Sequence, residues 1–153
     1  MDAQGRALHP CVIWLDARGE EEAAYLNERL GTGLFSGQSY WAKLLWLKRR
    51  RPEIYSRAAY ILEVNSFLRR RMTGQWAVDV SNDFIHSPTE ETDRFYRRVL
   101  EAGELDREKF PPMVDSTDQT GVLAPGPAGE LGLPPGIPVF AGSADIPAVA
   151  IGA

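Results

Sequence analysis

Three short apolar runs, at residues 11–15, 59–63 and 137–141, alternate with segments whose apolar residues recur at helical spacing. That alternation constrains the fold more than any other feature. Runs of about five residues with β-branched side chains are short for buried helices and read as buried strands. Strands interleaved with helices imply an α/β protein. No segment is repeated along the chain, so a solenoid is not expected.

The helical segments carry their own start and stop signals. Residues 20–30 open on Glu20, Glu21 and Glu22, present Ala23, Ala24, Leu26 and Leu30, and meet Gly31 at the end. Acidic residues suit the positive end of a helix dipole, and glycine suits a left-handed cap. Ser39 can cap a helix over 40–50 that presents Trp41, Leu44, Leu45 and Leu47 before Pro52 stops it. Residues 53–58 add a further turn or two. Ser66 is expected to cap a helix over 67–72 that Thr73 and Gly74 end, and a loop over 75–87 follows. Residues 90–102 form an amphipathic helix with Phe95, Val99 and Leu100 inward. A Pro- and Gly-rich remainder holds an extended stretch at 121–123, a short helix near 128–131 and the run at 137–141. Residues 145–153 begin as a helix without a closing cap, and Gly5 sits in a turn between two extended pieces. Both ends therefore read as cut from a longer chain.

Composition excludes several classes. With 44% apolar, 25% charged and 10% aromatic residues, the 153-residue chain is neither disordered nor fibrous. Seventeen basic against 21 acidic residues give a net charge of −4, which disfavours bulk binding to nucleic acid or acidic membranes. No apolar run approaches the ~18 residues of a membrane span. A single cysteine, Cys11, and polar opening residues fit a reducing, cytoplasmic setting. His9, His86 and Cys11 lack metal-ligand spacing, so protein-bound zinc is not expected. Arg49 to Arg51 and Arg69 to Arg71 read as solvated helix ends rather than a nucleic-acid surface. Trp14, Trp41, Trp46 and Trp76 read as core or near-core residues.

Five stretches, VIWLDAR at 12–18, AKLLWLKRRRPEIYSRA at 42–58, FLRRRMTGQWAVDVSN at 67–82, FPPMVDSTDQTGVL at 110–123 and ELGLPPGIPVFAGSAD at 130–145, fall in one order and cover nearly the whole chain. Together they resemble the FGGY family of carbohydrate kinases, most closely its xylulose-kinase-like branch. The resemblance implies a partial actin/RNase-H-like ATPase fold. Residues 1–153 would be the latter part of the N-terminal, sugar-binding domain, with the Asp-x-Gly-Thr phosphate loop and the C-terminal ATP-binding domain absent. No G-x-x-x-x-G-K-[ST] segment replaces that loop. The complete enzyme would use ATP and Mg²⁺ to phosphorylate a ketopentose or polyol. This piece alone is expected to bind neither cofactor and to show no turnover.

Asp145 is the sharpest candidate for chemistry. It follows a strand and the small residues Gly142, Ser143 and Ala144, where a carboxylate could take the proton of a sugar hydroxyl during phosphoryl transfer. A helix cap is the other local reading. The resemblance favours the base, because the family's catalytic aspartate lies in this G-x-x-D setting. Many members carry Gln after that Asp; Ile146 stands here and puts the usual sugars in question.

Asp16 and Arg18 end the first apolar run, either as polar groups near a ligand or as an ion pair with a helix cap. Gln38, Ser39 and Tyr40 occupy a loop that the resemblance associates with sugar contacts, and a plain loop is the alternative. Asn82 is expected to order the loop beneath the sugar or to make an Asx turn, and Asp83 stands where a small residue is common. A rival function is a non-catalytic α/β module that binds a sugar or a partner protein. Self-association into a homo-oligomer is compatible with a truncated domain that exposes unpaired surface.

Overall fold

The structure is a computed structural model and describes residues 1–81 and 90–152. In chain order its elements are α1 (Glu20–Leu30), α2 (Tyr40–Arg50), α3 (Pro52–Arg57), α4 (Val64–Thr73), β1 (Val78–Asp79) and α5 (Glu90–Gly103). A 3-10 turn (Arg107–Lys109), β2 (Met113–Val114), β3 (Gln119–Val122), α6 (Pro125–Leu131), β4 (Pro138–Phe140) and α7 (Asp145–Gly152) follow. The chain divides into two compact units, Met1–Tyr60 with Asp93–Lys109 and Ile61–Thr92 with Phe110–Ala153.

The first unit is helical. α1 carries its three glutamates in the first turn and closes at Gly31, whose N–H donates to the Asn27 carbonyl. Ala23, Leu26 and Leu30 are buried where α1 packs on α2, which buries Trp41, Ala42, Leu44 and Leu45. Taking a leucine such as Leu26 wholly out of water is worth roughly 1.5–3 kcal/mol. α5 contributes Val99 and Leu100, and Tyr96 meets Trp41 with ring centroids 5.2 Å apart at 62°. Tyr96 is buried and Phe95 only partly so; Phe95 stacks on the buried Phe35 with ring centroids 6.3 Å apart. The Asn27 amide holds the loop after α1, donating to the Phe35 carbonyl at 2.8 Å and accepting its N–H at 3.1 Å.

The second unit packs α4 against β3, β4 and α6. β1 and β2 pair in parallel, Val78 opposite Met113 and Asp79 opposite Val114. β3 and β4 pair antiparallel, with an irregularity between Gln119 and Gly121. Its core is built of small residues, Ala77, Ala128 and Ala141 with Leu123, and of three polar ones, Ser66, Arg69 and Asp79.

Several expectations are corrected. Residues 11–15 form no strand. The Ile13 carbonyl is taken by the Asp16 N–H and by Lys43 Nζ, which closes a turn where a ladder would need a neighbouring strand. Trp14 is accordingly 75% exposed rather than in the core. Residues 59–63 are not a strand either. The N–H groups of Ala59 and Tyr60 both reach the single carbonyl of Met1, which is too short a partner for a ladder. Ser39 holds the N-cap place of α2, its carbonyl accepting the Lys43 N–H at 3.0 Å, but its hydroxyl makes no cap bond and accepts the Ser36 N–H at 2.9 Å instead. α4 begins at Val64, so Ser66 lies inside it. β1 and β2 went unseen because two residues carry no periodicity. Among the described residues, no helix is long and apolar enough to cross a membrane.

Candidate functional site

The loop at residues 141–144 joins β4 to α7 and delivers Asp145. Its backbone is tied down at the start: the Ala141 N–H donates to the Asp118 carbonyl at 2.8 Å and the Gly142 N–H to the Ser116 carbonyl at 3.0 Å. Gly142 has φ of 74°, a left-handed conformation that costs a side-chain-bearing residue roughly 1–2 kcal/mol. The Ala144 carbonyl accepts the Ala148 N–H at 3.1 Å, so Ala144 takes the capping place and Asp145 is the first helical residue. Asp145 Oδ1 accepts the Ile146 N–H at 2.8 Å. The carboxylate is exposed, and among the described residues Oδ2 has no partner. An open depression of about 400 Å³ is lined by Asp145, Ile146, Val149 and Ala150. An oxygen available beside such a hollow can accept a proton from a hydroxyl.

Beneath this loop lies a buried polar network. Arg69 of α4 pairs with Asp79 of β1 at 3.3 Å. Its guanidinium also donates to the Ala141 carbonyl, to Ser66 Oγ at 2.9 Å and to the Ala77 carbonyl at 3.4 Å. The planar fork of arginine makes this many directed bonds from one side chain possible, where the single ammonium of lysine could not. Asp79 Oδ2 accepts from Asn65 Nδ2 at 2.9 Å, and Oδ1 accepts both the hydroxyl of Ser81 at 2.6 Å and its N–H at 3.2 Å. Ser81 Oγ in turn accepts the Ala144 N–H at 2.7 Å. Arg69 is therefore no solvated helix end, which corrects the sequence expectation. Its burial is made tolerable by a carboxylate, a hydroxyl and carbonyls that receive its terminal nitrogens, while Nε has no partner among the described residues. Arg70 lies over Trp76 at 4.3 Å, and only Arg71 of the three is exposed.

In the first unit, Asp16 and Arg18 form the expected ion pair. Arg18 Nε lies 2.8 Å from both carboxylate oxygens, and the Arg18 N–H donates to Oδ1 at 3.0 Å. These hydrogen bonds hold the Asp16 carboxyl below the usual aspartate range and raise the Arg18 guanidinium. Arg18 also lies over the Trp46 ring at 4.5 Å. The cap of α1 is Gly19, so Asp16 does not cap it. The Gly19 N–H donates to the Gly37 carbonyl at 3.2 Å, which brings the loop of Gln38 and Tyr40 beside the Asp16–Arg18 turn. Gln38 is exposed; Tyr40 is partly buried, its ring edge-on to Trp41 at 5.1 Å.

The fold thus gathers Asp16, Arg18, Gln38 and Tyr40 in the first unit and places Asp145 and Ile146 together in the second. Asn82, Asp83 and His86 lie outside the described residues. Sequence reasoning missed Arg69, Asp79 and Ser81 as a network. The clue was present in the short polar spacing Asp79–Ser81 after an apolar residue, but nothing local says that Arg69 turns inward. Among the described residues no group of three His, Cys, Asp or Glu side chains could cage a metal ion. A Mg²⁺ ion that arrives with phosphates needs only one or two protein carboxylates.

Comparison with known proteins matches residues 1–152 to the FGGY family of carbohydrate kinases, N-terminal domain. The chain is 34% identical to xylulose kinase of Escherichia coli (strain K12), with 99% of the chain and 33% of that protein aligned. It is 32% identical to L-fuculokinase of the same strain, over 95% of the chain and 33% of the relative. The chain spans about a third of the length of these relatives. Among solved structures, a "xyloylose kinase" from Brucella ovis superposes with a TM-score of 0.70 at 25% identity, covering 94% of this chain and 31% of that one. Glycerol kinase from Plasmodium falciparum gives 0.71 at 20% identity, over 97% and 32%, a likeness of fold. The fold class is α/β, of the actin/RNase-H-like ATPase type shared by these kinases.

Proposed function

Since this chain belongs to the FGGY family of carbohydrate kinases, matching its N-terminal domain, we propose that it forms the sugar-binding part of an ATP-dependent kinase acting on a ketopentose or polyol. The Asp-x-Gly-Thr loop and the ATP-binding domain would be supplied by parts of the protein outside these residues. Such a kinase works where ATP is, in the cytoplasm. In the proposed reaction a sugar hydroxyl attacks the γ-phosphorus of Mg²⁺-bound ATP. The new bond is sugar oxygen to phosphorus; the bond from γ-phosphorus to the bridging oxygen breaks and ADP leaves. Asp145 takes the hydroxyl proton and releases it to water afterwards. Positioning and charge neutralisation supply most of the catalysis in such transfers.

The observation that carries this reading is the presentation of Asp145: an exposed carboxylate on the first turn of α7, beside a hollow and after a loop of small residues. Small side chains at 142–144 leave room for a polyol near the backbone. Candidates for sugar contact are Asp16, Arg18, Gln38 and Tyr40, together with Asn82 and Ile146. Ile146 offers a methyl-rich side chain where a hydrogen bond to sugar would otherwise form, which favours a substrate with fewer hydroxyls at that point.

The test is a coupled ADP-release assay on the full-length protein containing this chain, with xylulose, ribulose, fuculose and glycerol as acceptors. Turnover with at least one of them is expected, and Asp145→Asn should lower kcat by about 10²–10⁴-fold, the range for losing a general base. Sugar binding by calorimetry without ADP release would favour the non-catalytic module.

A further inference from the structure

We propose that Ser81, backed by Asp79 and Arg69, is a positioning device for Asp145; the inference rests on the kinase reading above. The loop at 141–144 is four residues long, and both of its ends are held from the same carboxylate. At the start, Arg69 donates to the Ala141 carbonyl while pairing with Asp79. At the end, Ser81 accepts the Ala144 N–H while donating its own proton to Asp79 Oδ1.

The donor and acceptor logic gives this arrangement a direction. A hydroxyl has one proton and two lone pairs. An ionised Asp79 can only accept, so it draws the Ser81 proton to itself and turns a Ser81 lone pair toward the Ala144 N–H. That N–H belongs to the residue immediately before Asp145. Fixing it fixes the entry into α7 and hence the angle at which the carboxylate leaves the backbone. Arg69 and Asp79 have side-chain exposures of 5% and 0%. They hold this setting from a dry interior, where hydrogen bonds are stronger and less easily exchanged with water. The base itself stays exposed, free to meet a hydroxyl. Rigidity is supplied from below and reactivity is kept above.

A misplacement of about 1 Å can cost on the order of 10²-fold in rate. Ser81 is the residue to change, because it is only partly buried and its loss leaves the Arg69–Asp79 pair intact. In the full-length kinase, Ser81→Ala is expected to lower kcat by about 10- to 100-fold with the sugar KM within about twofold. Ser81→Thr keeps the hydroxyl and should restore most of kcat. A second readout does not depend on turnover: amide exchange by mass spectrometry on a peptide spanning residues 141–146. Exchange there should quicken at least about tenfold in Ser81→Ala and not in Ser81→Thr, reporting loss of the Ala144 hydrogen bond. Unchanged exchange and unchanged kcat in Ser81→Ala would overturn the proposal, as would a threonine variant as impaired as the alanine. A wild-type protein that phosphorylates no sugar sinks the kinase reading alone. The exchange arm then still decides whether the network holds the loop.

Discussion

Arg69 and Asp79 are paired at 3.3 Å with almost no solvent reaching either side chain. The pair joins α4 to β1 and carries the loop that leads to Asp145. Removing one partner of a buried pair strands the other charge, at a cost of about 3–5 kcal/mol. Arg69→Met is therefore expected to lower the unfolding free energy of the second unit, measured by urea denaturation, by about that amount. Arg71→Met, two residues on and exposed, should stay within about 0.5 kcal/mol. Equal effects at the two positions would contradict the buried pairing.

The bonds from Arg18 hold the Asp16 carboxyl below its ordinary value of 3.8. A depressed folded-state value means that Asp16 contributes stability above the unfolded value, and that the contribution is lost as pH falls through the folded one. Carbon-detected NMR titration should find the Asp16 midpoint below 3.8, and Arg18→Gln should move it up toward that value. A midpoint that ignores the substitution would mean that the guanidinium is not the cause.

Gly37 is a point of close approach. A Cβ there would lie 2.5 Å from the Ala17 carbonyl oxygen and 2.6 Å from Glu20 Oε1, both inside contact distance. Gly37→Ala should force apart the Asp16–Arg18 turn and the loop of Gln38 and Tyr40, costing roughly 1–3 kcal/mol as overpacking does. If those residues hold sugar, KM should rise as well. Thermal unfolding and the acceptor assay together check both parts.

Tyr55 is buried, and its hydroxyl accepts the Asp106 N–H at 2.9 Å. Desolvation pushes the phenol above its ordinary value of 10.0. A raised value means that the contribution of Tyr55 to stability is intact below pH 10 and falls away as pH rises through the folded-state value. Ultraviolet titration should show a late-ionising component to which Tyr55 contributes. Tyr55→Phe should reduce that component by one tyrosine and cost about 0.5–1.5 kcal/mol for the lost hydrogen bond.

The helices of the first unit could be read from the chain because each carries its information locally. The glutamates and Gly31 bound α1, and Pro52 closes α2 through steric exclusion that any tertiary setting must respect. Apolar periodicity likewise placed Val99 and Leu100 in the core. Strands carry no such closure. The run at 11–15 has the composition of a strand, yet its ladder must come from another segment, and here the Ile13 carbonyl is taken by a turn and a lysine.

The same division runs through the candidate site. Local sequence determined that residues 142–144 are small, that a carboxylate follows them and that a helix begins there. These are properties of neighbouring residues, and the structure keeps them. Tertiary structure alone decided that Arg69 turns inward while Arg71 stays in water, and that Ser81, bonded to Asp79, reaches the Ala144 amide, 63 residues away along the chain. The direction of a side chain on a helix depends on what packs against that face, and no run of three arginines contains that information. Burial and hydrogen-bond partnership are relations between distant segments, so they exist only once the chain has folded.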